Sequence, residues 1–84
     1  MDGPELQSLY LSLQRYAGWL GRDRVSGTVR ADVQALGAAI GTGADASASL
    51  ELLDADIARL PGGDLRKLLR VTAGHIRLAI TGPR

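Results

Sequence analysis

Arg66, Lys67, Arg70 and Arg77 form the one pattern in this chain with a clear chemical meaning, and that meaning is anion binding. At ~100° per residue the three arginines of a helix so spaced project within about 40° of one another, with Lys67 beside them. The spacing predicts a basic strip on the face opposite the helix's apolar stripe. Guanidinium groups suit phosphate because their forked donors bind its oxygens in pairs. Each phosphate neutralised releases counterions, so the affinity of such a strip falls steeply with salt. Gly74 lies on the same face and lets another backbone approach closely. Val71 and Leu78 sit beside the strip and off the core stripe. They are expected to pack on a neighbouring helix, the alternative being part of a partner contact.

The surrounding charge is segregated. From Arg59 to Arg84 there are six Lys/Arg against the single Asp64, while Asp45, Glu51, Asp54 and Asp56 make residues 41–58 acidic with no base. The whole chain of 84 residues carries only +1. A field divided in this way selects partners, and nucleic acid is the commonest for a basic helix. The small total argues against very tight nonspecific binding to DNA.

No residue set supports catalysis, a metal site or a cofactor. His75 is the only histidine and has no Ser or Cys nucleophile or metal partner at a useful spacing, so it reads as a surface residue. Asp54 and Asp56 diverge on a helix and read as a solvated face. Gly41-Thr42-Gly43 lacks the Lys and the flanking strand of a phosphate loop and reads as a linker. With no cysteine there is no disulfide or thiolate metal site, which fits an intracellular protein.

Four segments must position these side chains, each with helical periodicity and each bounded by Gly or Pro. Residues 4–20 place Leu6, Leu9, Tyr10, Leu13, Ala17 and Leu20 at three- and four-residue steps, with Pro4 in the opening turn. Residues 28–40 follow, with Ser26 or Thr28 as cap and Val29, Val33, Leu36 and Ile40 on one face. Residues 47–60 carry the stripe Leu50, Leu53, Ile57 and Leu60, ended by Pro61-Gly62-Gly63. Asp64 caps residues 64–80, where Leu65, Leu68, Leu69, Thr72, Ala73, Ile76, Ala79 and Ile80 share a face. The expectation is a single all-α domain over 1–84, a compact bundle of four short helices without internal repeat.

The core must come from fourteen Leu with Val, Ile and Ala, since Phe is absent and Tyr10, Tyr16 and Trp19 fall in one stretch. Small aliphatic cores often gain stability by self-association. No secretory signal pattern opens the chain, and no apolar run approaches the ~18 residues of a membrane span. A soluble, cytoplasmic protein without membrane contact is expected, and the richness in Ala, Gly, Arg and Asp points to a high-GC bacterial or phage genome.

Tyr16-Ala17-Gly18-Trp19-Leu20, Val25-Ser26-Gly27-Thr28-Val29-Arg30, Leu53-Asp54-Ala55-Asp56-Ile57 and Asp64 to Ile80 follow one another in an order that resembles the N-terminal core-binding domain of tyrosine recombinases and phage integrases. The likeness covers nearly the whole chain in short pieces, with Ala31 where that family usually has an aromatic. It implies a helical unit that clamps one side of DNA through its second and fourth helices. Carried over, the contacts are Thr28 and Arg30 with Arg66, Lys67, Arg70 and Arg77, and strand cleavage is not implied because no catalytic domain is present. Two further likenesses are local. Leu60-Pro61-Gly62-Gly63-Asp64 is similar to a helix-hairpin-helix turn, with Asp64 in place of the second glycine. Trp19-Leu20-Gly21 matches the Trp-x-Gly signature of small secreted actinobacterial helical hairpins.

Two functions are therefore expected. One is a non-enzymatic module that binds the phosphate backbone of nucleic acid. The other is a small protein–protein interaction domain with an acidic partner, or a homodimer in which the acidic third helix faces the basic fourth.

Overall fold

The computed structural model describes residues 3–81, so Arg84 of the basic C-terminal segment lies outside the described residues. Four helices run up and down: α1 (Gly3–Gly18), α2 (Arg24–Thr42), α3 (Ala46–Ile57) and α4 (Asp64–Thr81), with no strand among the described residues. The all-α four-helix bundle is the fold observed. α1 and α3 each pack on both α2 and α4, with α1–α4 and α2–α3 the larger interfaces, in a body of 36 × 22 × 18 Å. The centre is aliphatic: Leu13, Leu36, Leu50, Leu53, Ile57, Leu69 and Ile76 are fully buried with Val29 and Val33.

α2 starts four residues earlier than its hydrophobic spacing predicts. Asp23 caps it, accepting hydrogen bonds from the Ser26 amide at 3.1 Å and the Ser26 hydroxyl at 2.8 Å. A carboxylate at this position satisfies an orphan amide and faces the positive end of the helix, so it outcompetes Ser26 and Thr28. α2 also runs through Gly41 and Thr42. It ends only at Gly43, whose φ of 76° is the left-handed conformation that glycine adopts without cost. Asp45 caps α3 through the Ser47 amide. At α4 the Gly63 carbonyl accepts the first bond, from the Lys67 amide, so Asp64 lies in the first turn instead of capping it.

α1 and α2 are held by one close crossing. The Tyr10 hydroxyl donates to the Val33 carbonyl at 3.1 Å, and its ring passes directly over Gly37. A Cβ at Gly37 would collide with the Tyr10 hydroxyl and ring, so the approach requires glycine.

An internal repeat is present, contrary to the expectation from sequence. Adding 40 to the residue number carries Leu13, Ala17 and Leu20 onto Leu53, Ile57 and Leu60, and Val29, Val33 and Leu36 onto Leu69, Ala73 and Ile76. All twelve are buried except Leu20, which is partly so. The turns repeat bond for bond. Trp19→Tyr16, Leu20→Ala17 and Gly27→Asp23 have as counterparts Arg59→Asp56, Leu60→Ile57 and Lys67→Gly63. The interfaces agree, since exchanging the two hairpins exchanges α1–α4 with α3–α2. Few residues are identical between the halves, because any aliphatic side chain meets the demand for burial. The repeat is one of environment, which is why residue identity hides it.

Candidate nucleic-acid interface

The six residues expected to touch nucleic acid divide evenly. Thr28 turns its hydroxyl back to the Arg24 carbonyl at 3.0 Å. Arg30 donates to the carbonyls of Leu20 and Gly21, at 3.3 and 2.8 Å, and so ties the α1–α2 loop to α2. Arg77 pairs with Asp54 of α3 at 2.5 Å, both side chains being 39% exposed. Asp54 is thus an ion-pair partner, and Asp56, whose side chain is only 13% exposed, pairs with Arg59 at 3.6 Å. Neither belongs to the solvated face that their spacing suggests.

Arg66, Lys67 and Arg70 remain, with no ion pair among the described residues. They occupy the first two turns of α4. Arg66 and Arg70 line an open groove of about 440 Å³ between α3 and α4, walled by Asp54, Ile57, Ala58 and Gly74. Lys67 joins them around an adjoining hollow of about 210 Å³ bordered by Gly62 and Gly63. The strip therefore flanks the apolar stripe on the α3 side and does not oppose it. The face that does point to solvent carries Lys67, Val71, His75 and Leu78. Val71 is 50% and Leu78 67% exposed, so neither packs on a neighbouring helix.

The fold adds cations that the reading of α4 missed. Both hairpin loops lie at the same end of the bundle, where Trp19, Gly21 and Asp23 meet Pro61, Gly63 and Arg66 around a cleft of about 280 Å³. Arg22 and Arg24, both exposed, come to this end with α2, Arg15 with the last turn of α1, and Arg59 with the end of α3. Residues 15–32 and 56–70 together hold eight Lys/Arg against Asp23, Asp32, Asp56 and Asp64, a balance of +4. The rest of the described chain has Arg77 against Glu5, Asp45, Glu51 and Asp54, a balance of −3. What reads along the chain as a basic C-terminal segment is, in space, one basic end and one acidic end. The signal that finds the missing half is the hairpin topology, since short connections between antiparallel helices return both loops to one end.

Two carboxyl groups have displaced titrations. The Ser26 hydroxyl, then the Ser26 amide, hold Asp23 below the ordinary carboxylate range. At the α2–α3 seam, burial and then the neighbouring Asp56 carboxyl push Asp32 up to about 7. With both groups ionised, Asp32 Oδ2 is buried without a hydrogen-bond partner, so a proton shared between the two carboxyls relieves it.

No helix among the described residues is long and apolar enough to cross a membrane. These features define a small up-and-down helical bundle with a polarised surface. No protein-family model matches the chain, and no curated protein or solved structure is significantly similar to it.

Proposed function

We propose that this chain is a non-enzymatic module that binds the phosphate backbone of nucleic acid with its basic end, in the cytoplasm of a bacterium or of a phage's host. The supporting observation is the gathering of eight of the nine described Lys/Arg at the end where the hairpin loops meet. Arg66, Lys67 and Arg70 supply the α4 side of the contact, and Arg22 and Arg24 the α2 side. Thr28 and Arg30 act indirectly, by holding the α1–α2 loop and the start of α2 in place, and Arg77 stays with Asp54. This distribution keeps the division of labour between second and fourth helices that the likeness to recombinase core-binding domains implies, moved to the helix starts. Guanidinium and ammonium groups on phosphates carry little base information, so binding is weakly sequence-selective.

The test is fluorescence polarisation of a labelled random DNA duplex at about 50 and about 200 mM salt. Micromolar binding that weakens about tenfold or more between the two salts is expected. Arg66→Glu with Arg70→Glu removes it with helicity unchanged by circular dichroism, whereas Arg77→Gln leaves it within about twofold, because that guanidinium is already paired. Absence of binding at low salt overturns the reading and returns the basic end to an acidic protein partner.

A further inference from the structure

The solvent face of α4 carries Lys67, Val71 and Leu78, and the half-buried Gly74 stands between the last two at its edge toward α3, so the four follow at steps of four, three and four residues. The repeat supplies an internal control for this line. Its counterpart on α2 is Gly27, Ala31, Gln34 and Ala38, with no large apolar side chain. The fold therefore does not need bulk there, yet α4 holds Val71 at 50% and Leu78 at 67% exposure. Between them Gly74 has open space where a Cβ would stand, so a second helix can come close at that point. Exposed apolar side chains gathered on one helix face mark an interaction surface.

The charge distribution selects the occupant. Side by side and antiparallel, two copies set each basic end against the other's acidic end, while a parallel arrangement sets like against like. A net charge of +1 leaves little overall repulsion between copies. We propose that the chain self-associates as a two-fold dimer through α4, antiparallel, with Val71 of each copy against Leu78 of the other and Gly74 at the axis. The axis passes between residues 74 and 75, so the same patch serves both copies, as a closed two-fold interface requires. Lys67 then runs beside the acidic end of the second copy. Lys67 is common to this face and the nucleic-acid contact, whereas Arg22, Arg24 and Arg66 lie off it; Leu78→Glu and Gly74→Cys change no nucleic-acid contact residue, so they test the dimer apart from that reading.

Sedimentation equilibrium of the full chain over a concentration series at about 50 mM salt tests the proposal. A mass of twice the chain, shifting toward monomer as salt is raised, is expected. Leu78→Glu, at an exposed position, raises the dissociation constant about tenfold or more without loss of helicity. Because the chain has no cysteine, a single introduced thiol reports the register. Gly74→Cys forms a disulfide-linked dimer under mild oxidation, and Gln34→Cys, at the equivalent place in the other half, does not. A monomer at low salt and high concentration overturns the proposal. So does a dimer in which Gly74→Cys crosslinks no faster than Gln34→Cys.

Discussion

The α2–α3 seam and the α1–α4 seam are equivalent in the repeat, yet different chemistry occupies them. Asp32 and Asp56 border the first, and their counterparts at the second are Thr72 and Tyr16. Thr72 is buried and uncharged, and Tyr16 packs on the core with its ring 5.5 Å from that of Trp19. The aliphatic frame is the same on both sides, so it closes the bundle without help from the residues at its margin. Those marginal positions are where the two halves carry different properties: a pair of titratable carboxyls on one side, neutral groups on the other. A similar contrast divides the helix crossings. Gly37 admits Tyr10 in the first hairpin, and its counterpart in the second is Arg77, which reaches Asp54.

Four substitutions break or sharpen this comparison. The largest effect is expected of Gly37→Ala, which forces a methyl into the space of the Tyr10 ring and costs about 1–3 kcal/mol in chemical denaturation. The same change at Gly41, an exposed helical site with open space around it, stabilises by up to about 1 kcal/mol through helix propensity. If the two changes had the same sign, the crossing would not depend on glycine.

Next comes the asymmetric seam. The folded state holds Asp32 at about 7, above the unfolded carboxylate value of 3.8, so it keeps a proton that the unfolded chain releases. That contribution is fully present below about pH 4 and is lost as pH rises to about 7. The facing groups are Asp56 and, through its ion pair, Arg59. Asp32→Asn should flatten the decline of stability across this window by about 1–2 kcal/mol, a figure reduced from full linkage because the pair is partly solvated. Thermal melts at pH 5 and pH 8 check it, and a wild-type decline unchanged in the variant would assign the effect elsewhere.

The smallest effect belongs to the caps. Asp23→Ala should destabilise the fold near neutral pH, because α2 loses its N-cap. Because Asp23 is held below its ordinary value, its contribution fades only as pH falls below about 4. Gly63, which takes the corresponding place in the second hairpin, has no side chain to lose. Urea titrations of Asp23→Ala at pH 7 and pH 3 should therefore differ from wild type more at the first than at the second.

Helix number, helix type and core were legible in the chain because burial of one helix face imposes a 3.6-residue rhythm on residue choice. Leu13, Val33, Leu53 and Ile76 were each placed on the apolar stripe by spacing alone, and each is buried. The start of α2 was not, because the cap competes among Asp23, Ser26 and Thr28 and is decided by electrostatics at the helix end. The roles of Arg30 and Arg77 were also hidden. One bonds two loop carbonyls and the other a carboxylate 23 residues away, and a chain does not display such partners until it folds. Lys67 and Arg70 were placed on the surface correctly, and both are exposed with no ion pair among the described residues. The basic end as a whole required the topology, because half of it comes from the first hairpin, far away along the chain.

The repeat also bears on chain connectivity. Exchanging the halves exchanges the α2–α3 junction, spanned by residues 43–45, with the gap between the end of α4 and the start of α1. In an up-and-down bundle those two helix ends lie at the same end of the body, the end where residues 43–45 join α2 to α3. The order of the helices is not imprinted on the core, and a circular permutant closed by a short linker across that gap and opened at residues 43–45 would keep every helix interface intact.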